Sequence, residues 1–241
     1  MTENEHHWIT LHRVRFPNAI SVADQSFEPP PQADCWRFCP SHSVNDIGLP
    51  TWKSEVWCGL GIYDSRADAE AVFGSPGEHL PWLEETTEAW HAIAVPIAHH
   101  GEVNWRGTLE NGTALRTAKA PAGGHMLVVT TAGYNSRDPD QIPRIANFMQ
   151  GIREVMDFYS DHPGNLCNGV FNGGFDGRDG FTLTVWKDDR EMISGAYKPG
   201  VHKTLMDQSR DGSMFDRSSF TRARLISSEG TWDGAPIPGA A

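Results

Sequence analysis

Apolar and polar residues alternate along residues 8–16, Trp-Ile-Thr-Leu-His-Arg-Val-Arg-Phe, the period of a half-buried strand. Pro29-Pro30-Pro31 then interrupts the chain, and neither a helix nor a central strand tolerates such a run. Residues 17–54 therefore read mostly as loop, with a short strand around Trp36. A strand follows at 55–62. Ser65 or Asp64 is placed to cap a helix over Ser-Arg-Ala-Asp-Ala-Glu-Ala-Val-Phe, which Gly74-Ser75-Pro76 ends. A second helical run is expected over 78–88, and a strand over 89–98. In the second half, 126–133 is a strand. Ile142, Ile145, Phe148, Met149, Ile152, Val155, Met156 and Tyr159 recur at three- and four-residue steps, the pattern of one amphipathic helix. His162-Pro163-Gly164 stops it. Strands at 166–171 and 181–186, helices at 188–197 and 202–210, and a strand at 220–228 complete a βαββαβ order.

The chain also repeats itself weakly. Val-Trp-Cys-Gly-Leu-Gly-Ile-Tyr-Asp lies over Phe-Thr-Leu-Thr-Val-Trp-Lys-Asp, setting Asp64 opposite Asp188. A second block sets His79 opposite His202, so the two spacings are 124 and 123 residues. A duplicated βαββαβ unit predicts an α+β chain of two fused ferredoxin-like halves forming a dimeric α/β-barrel. The halves are expected at 1–110 and 125–234, with a linker at 111–124 and a tail at 235–241.

Composition narrows the function classes. The net charge of −11 argues against a nucleic-acid partner, which needs a cationic face. No run approaches the ~18 apolar residues of a membrane span, and the polar, acidic N-terminus is unlike a signal peptide; the expected address is the cytoplasm. Nine tryptophans and eleven phenylalanines suit an aromatic core or flat walls for an apolar ligand. Four scattered cysteines do not make a disulfide framework. Cys35, Cys39 and His42 have ligand-like spacing but lack a fourth partner, and Cys39-Pro40 could offer a thiolate to haem iron. No catalytic Ser-His-Asp set, phosphate loop or HExxH zinc motif is present.

In the second half stand Val185-Trp186, Asp188, Met192, Ala196-Tyr197, His202, Met214-Phe215, Arg222 and Ser228-Glu229-Gly230-Thr231-Trp232-Asp233-Gly234. In the first half Val56-Trp57, Trp82, Trp90 and Trp105-Arg106-Gly107 stand in matching positions. At these residues the sequence resembles the spheroidene monooxygenase family, haem-containing oxygenases of carotenoid synthesis within the dimeric α/β-barrel group. The resemblance covers residues 55–107 and 124–234. The first ~50 residues depart from it, and such loops shape substrate access.

The resemblance implies haem b, with His202 as its proximal iron ligand. Related haem proteins (chlorite dismutases, dye-decolourising peroxidases, aldoxime dehydratases) carry that histidine on a helix of the C-terminal half. Trp186, Met214, Phe215 and Phe220 are candidate pocket walls, or simply core. Arg222 and Arg224, two apart on one strand, share a face; they are the candidate catalytic cations, or surface ion pairs. His79 is read as a surface or packing residue, and the pairs His6-His7 and His99-His100 as solvent-facing. The expected activity is monooxygenation of an apolar or aromatic small molecule by dioxygen or peroxide, with an external electron donor and a homodimer as candidate partners. The alternatives are an aldoxime dehydratase-like haem lyase and a cofactor-free protein of the same fold that binds a hydrophobic ligand or serves in assembly.

Overall fold

The computed structural model describes residues 5–21, 27–44, 50–51, 53–101, 114–119, 123–134, 142–173, 179–197, 202 and 216–237. Its elements run β1 (Trp8–Ser21), β2 (Cys35–Pro40), the two-residue strands β3 (Ser43–Val44) and β4 (Pro50–Thr51), and β5 (Lys53–Tyr63). Helices α1 (Arg66–Gly74) and α2 (Pro76–His79) and a 3-10 turn (Pro81–Glu85) lead to β6 (Glu88–Gly101). Then come β7 (Met126–Gly133), α3 (Ile142–Ser160), β8 (Asn165–Gly173), β9 (Asp179–Trp186), α4 (Asp189–Tyr197), β10 (Arg217–Trp232) and β11 (Ala235–Pro236).

This is a mixed α/β protein with one large antiparallel sheet and few helices. The strands lie in the order β2-β5-β1-β6-β10-β7-β9-β8. Taken by halves, β2-β5-β1-β6 and β10-β7-β9-β8 have the same internal order, with the first strand of each half between its third and fourth. The halves join where β6 pairs with β10. At the far ends the outer strands also meet, because Ser41 bridges Phe171 and the His42 N–H donates to the Val170 carbonyl (2.8 Å).

Alternation along the strands sends one side of the sheet into a common core. Ile9, Leu11, Leu60, Ile62, Ala92, Ala94, Leu127, Val129, Leu183, Val185 and Leu225 pack there together with the four free cysteines. The opposite face carries separate clusters: Met126, Val128, Trp186 and Met192 under α3 and α4, and Trp8, Tyr63, Ala69 and Val72 under α1. Pro96 sits inside β6, where it cannot donate to the ladder. The register shifts at that point, between the pairs Arg222–Ala98 and Ala223–Pro96, which is how a proline is accommodated in a central strand.

The helical caps follow the sequence. The Ser65 hydroxyl accepts from the Asp68 N–H to start α1. The helix expected over 78–88 is instead broken into the four-residue α2 and the 3-10 turn, each opened by a proline, Pro76 and Pro81. The helix expected over 202–210 lies outside the described residues except for His202. Within the expected linker, Leu115 is buried in the common core, and Arg116 bonds Asp64 through its guanidinium and His7 through its backbone.

The Ser-Glu-Gly-Thr-Trp-Asp-Gly stretch closes the sheet. Asp233 (φ 50°) and Gly234 (φ 78°) form the two-residue turn between β10 and β11, the Asp-Gly pair that positive φ at both positions favours. At Gly230 (φ 84°) a Cβ would fall 2.1 Å from the Ala89 carbonyl. The turn delivers Asp233 to Arg13, whose guanidinium is buried and donates to Glu88 (2.5 Å) and Asp233 (2.5 Å) while lying over the Trp232 ring.

Candidate functional site

Three strands and two helices of the C-terminal half line an apolar cavity of about 120 Å³. Val128 and Thr130 of β7, Thr182, Thr184 and Trp186 of β9, and Phe220 of β10 form its sheet wall. These residues share a face because Phe220 pairs with Thr130, Thr130 with Thr182 and Val128 with Thr184. The facing wall is the apolar side of α3, including Ile152, Val155, Met156 and Tyr159, and Met192 and Ala196 of α4 close one end.

His202, five residues beyond α4 in the chain, lines this cavity. Its Nδ1 lies 2.7 Å from the Ala196 carbonyl. A carbonyl can only accept, so Nδ1 carries the hydrogen and Nε2 is left with the lone pair. Burial lowers the His202 pKa, the bond to Ala196 acting in the opposite direction, so the ring is neutral near pH 7. The Tyr159 ring packs against it at 5.6 Å.

Trp186 is held from three sides. Its Nε1–H donates to the Thr184 hydroxyl (2.8 Å), and Tyr159 and His162 meet it edge-on. Gly195 lets α4 approach, since a Cβ there would stand 2.4 Å from the indole. The hydroxyls of Thr130 and Thr182 have no hydrogen-bond partner among the described residues, so two unpaired polar groups face an otherwise apolar space. The sequence reading missed this threonine row, although the Thr-x-Thr step at 182 and 184 on an expected strand already put both hydroxyls on one face.

Of the residues singled out from sequence, His202, Trp186 and Phe220 come together at the cavity. Met214 and Phe215 lie outside the described residues. Arg222 is on the same face as Phe220, paired with Val128, but does not line the cavity. Arg224 is buried and committed elsewhere, to the Gly124 carbonyl (2.8 Å) and the Asp189 carboxylate (2.8 Å). His79 is half-buried at the end of α2. The expectation that both histidine pairs face solvent holds only for His100 among the four; His6 is half-buried beside the Trp8 ring. His7 is buried against Asp64, and His99 is half-buried between the Thr221 hydroxyl and the Gly101 carbonyl. Cys35 and Cys39 are buried in the common core, and His42 Nδ1 is engaged by Asn172. Among the described residues no three of His, Cys, Asp and Glu are grouped to hold a metal, and no helix is long and apolar enough to cross a membrane.

The donor chemistry at the cavity fits a haem with one protein ligand. A neutral imidazole whose second nitrogen is held by a backbone carbonyl is the usual arrangement of a metal-ligating histidine, and the lining is apolar.

No family profile matches the chain, and no curated protein matches it in sequence. Solved structures do resemble it in fold. Aldoxime dehydratase is 10% identical, with 93% of this chain and 83% of that chain covered, at a TM-score of 0.57. Aldoxime dehydratase in complex with butyraldoxime is also 10% identical, covering 93% and 81%, with a TM-score of 0.56. SnoaB, a cofactor-independent oxygenase from Streptomyces nogalater, is 12% identical over 47% of this chain and 97% of its own, at a TM-score of 0.31, too loose a likeness to bear on fold or chemistry. At such identities the first two likenesses speak for the fold alone.

Proposed function

We propose that the chain is two fused ferredoxin-like halves, 1–110 and 125–234, closing into a dimeric α/β-barrel, and that its C-terminal half binds haem b through His202 to act on an apolar small molecule. The repeated strand order and the meeting of β2 with β8 support the architecture. The observation that carries the function is the His202 ring itself: neutral, with Nδ1–H fixed on the Ala196 carbonyl and Nε2 unprotonated, at an apolar cavity.

His202 would hold the iron, and Trp186 and Phe220 would flank the macrocycle. The haem would supply a redox-active Lewis acid. The chain's own contribution is threefold. The Ala196 carbonyl fixes the tautomer and raises the basicity of the imidazole. The α3 and α4 side chains exclude water from the cavity. The unpaired Thr130 and Thr182 hydroxyls orient a polar atom of the substrate and can pass it a proton.

Monooxygenation, the activity implied by the spheroidene monooxygenase resemblance, is the first reading of the reaction. Dehydration of an aldoxime is the second, favoured by the fold shared with aldoxime dehydratase. Hemin titration of the purified protein is expected to give a saturable Soret band that His202→Ala shifts and weakens. Wild-type protein that binds hemin no more tightly than His202→Ala overturns the reading. Product formation from an aldoxime under anaerobic, reducing conditions, against turnover that needs dioxygen and a reductant, then separates the two reactions.

A further inference from the structure

Beside the cavity lined by His202 lies a second one of about 350 Å³, at the seam where β2 and β8 meet. The two cavities share the side chains of Ile152 and Met156, one turn apart on α3. Their chemistries differ. The second is lined by Ser41, His42, Arg153 and Asn168 beside apolar α3 residues, and among the described residues no Asp or Glu lines it. In a chain of net charge −11, a cavity lined by an arginine and no acid is a local inversion of sign.

The polar groups there are available. Arg153 is exposed, with no ion-pair or hydrogen-bond partner among the described residues. The Asn172 amide Nδ2 donates to His42 Nδ1 (2.5 Å), so the neutral His42 ring carries its hydrogen on Nε2. Burial, and then the nearby Arg153 charge, lower the His42 pKa and keep that ring a neutral donor. The backbone is fixed as well, since the His42 N–H is tied to the Val170 carbonyl across the seam. One guanidinium plus neutral donors balances a single negative charge. A dianion would require more cation than the lining provides.

We propose that this second cavity is a carboxylate subsite, in which Arg153 and the His42 Nε2–H hold a carboxylate whose apolar body reaches past Ile152 and Met156 into the cavity lined by His202. Together the two cavities reach the roughly 300–1,000 Å³ usual for small-molecule sites. The carboxylate has two chemical sources, an apolar acid serving as substrate or a propionate arm of the porphyrin. The second source rests on the haem reading above; the first does not.

Calorimetric titration of the full chain without added hemin tests the first source, with 4-phenylbutyrate and the uncharged 4-phenylbutanol as probes. The expected result is ~10-fold tighter binding of the acid, the scale of a hydrogen bond to a charged group. Arg153→Gln is expected to abolish that preference, Arg153→Lys to keep most of it, and His42→Ala to reduce it. The second source is tested with hemin and its dimethyl ester, followed at the Soret band. A propionate at Arg153 makes hemin the tighter ligand, and Arg153→Gln then weakens hemin alone. A preference for the charged probe in either pair that Arg153→Gln removes supports the subsite and names its source. Indifference of both pairs to Arg153 overturns it. Failure of hemin to bind, with the phenylbutyrate preference intact, overturns only the haem reading.

Discussion

His12 and His91 face each other across β1 and β6 with their Nδ1 atoms 2.9 Å apart. The Thr10 hydroxyl donates to the Tyr63 hydroxyl (3.3 Å) and so accepts from His12 Nε2 (3.0 Å). That leaves His12 Nδ1 as an acceptor, and His91 must supply the hydrogen between them. His12 is therefore neutral, and burial holds both pKa values down, that of His91 to about 4, so both rings are neutral near pH 7.

A lowered pKa in a base means that the unfolded chain binds the extra proton more readily, so stability is full above the ordinary value near 6.5 and falls as pH drops toward 4. His91 alone is expected to lower unfolding free energy by about 2 kcal/mol between pH 7 and pH 5. Urea denaturation at the two pH values measures it, and His91→Gln, which can still donate to His12, should flatten the dependence. An equal pH slope in the variant would show that another group is responsible.

Gly195 stands against the indole of Trp186. In an exposed helix, alanine would be preferred by up to ~1 kcal/mol. Here its Cβ would meet Trp186, a ring that the Thr184 hydroxyl holds in place. Gly195→Ala is expected to destabilise by about 1–3 kcal/mol, readable as a lower urea midpoint at unchanged slope.

The threonines of the cavity wall should separate structure from binding. Thr184→Val leaves the buried Trp186 N–H without an acceptor and should cost about 1–3 kcal/mol. Thr182→Val removes a hydroxyl that has no described partner, and should leave stability within ~0.5 kcal/mol while weakening binding of a polar ligand. Equal stability losses in the two variants would contradict the assignment.

Arg13 anchors the turn that ends β10. Arg13→Met removes the buried cation beside the Glu88 carboxylate, whose pKa burial raises but the Gly234 N–H, Arg13 and Thr231 bring below normal. Because Arg15 still reaches Glu88 and Asp233, the loss is expected at about 3 kcal/mol. For a chain of this size that is a Tm lower by roughly 6–12 °C.

The arginine pair should divide similarly. Arg224→Met breaks the ties to Asp189 and Gly124 and should lower the thermal midpoint. Arg222→Met, with no described partner to lose, should leave it unchanged. A midpoint drop in both would place Arg222 in the fold rather than near the cavity.

Much of this was legible beforehand, and residue types explain where. The alternation at 8–16, the Ser65 cap and the apolar face of α3 carry period and capping signals, and each element formed within a few residues of its expected place. Pro76 and Pro81 overrode an apparent helical run, because backbone chemistry outranks periodicity. His7 could not be called buried from sequence, since its partners Asp64 and Arg116 come from distant segments. The candidate site divided along the same line. Phe220 and Trp186 were readable as wall residues on alternating strands, whereas Arg153 and His42 meet only because β2 is tied to β8, a pairing no local pattern announces.

The position of β10 also sets when the sheet can be completed during synthesis. It follows every other long described strand in the chain, yet it sits in the middle of the sheet, pairing with β6 on one side and β7 on the other. Until residues 217–232 emerge, β6 waits with an open edge bearing Ile93 and Val95, the kind of edge that recruits chaperones or a neighbouring nascent chain. A polypeptide cut just before Arg217 would keep the four described helices and still have no seam between its halves at β6, so synthesis through residue 232 is the commitment step for assembling the cavity wall that Phe220 completes.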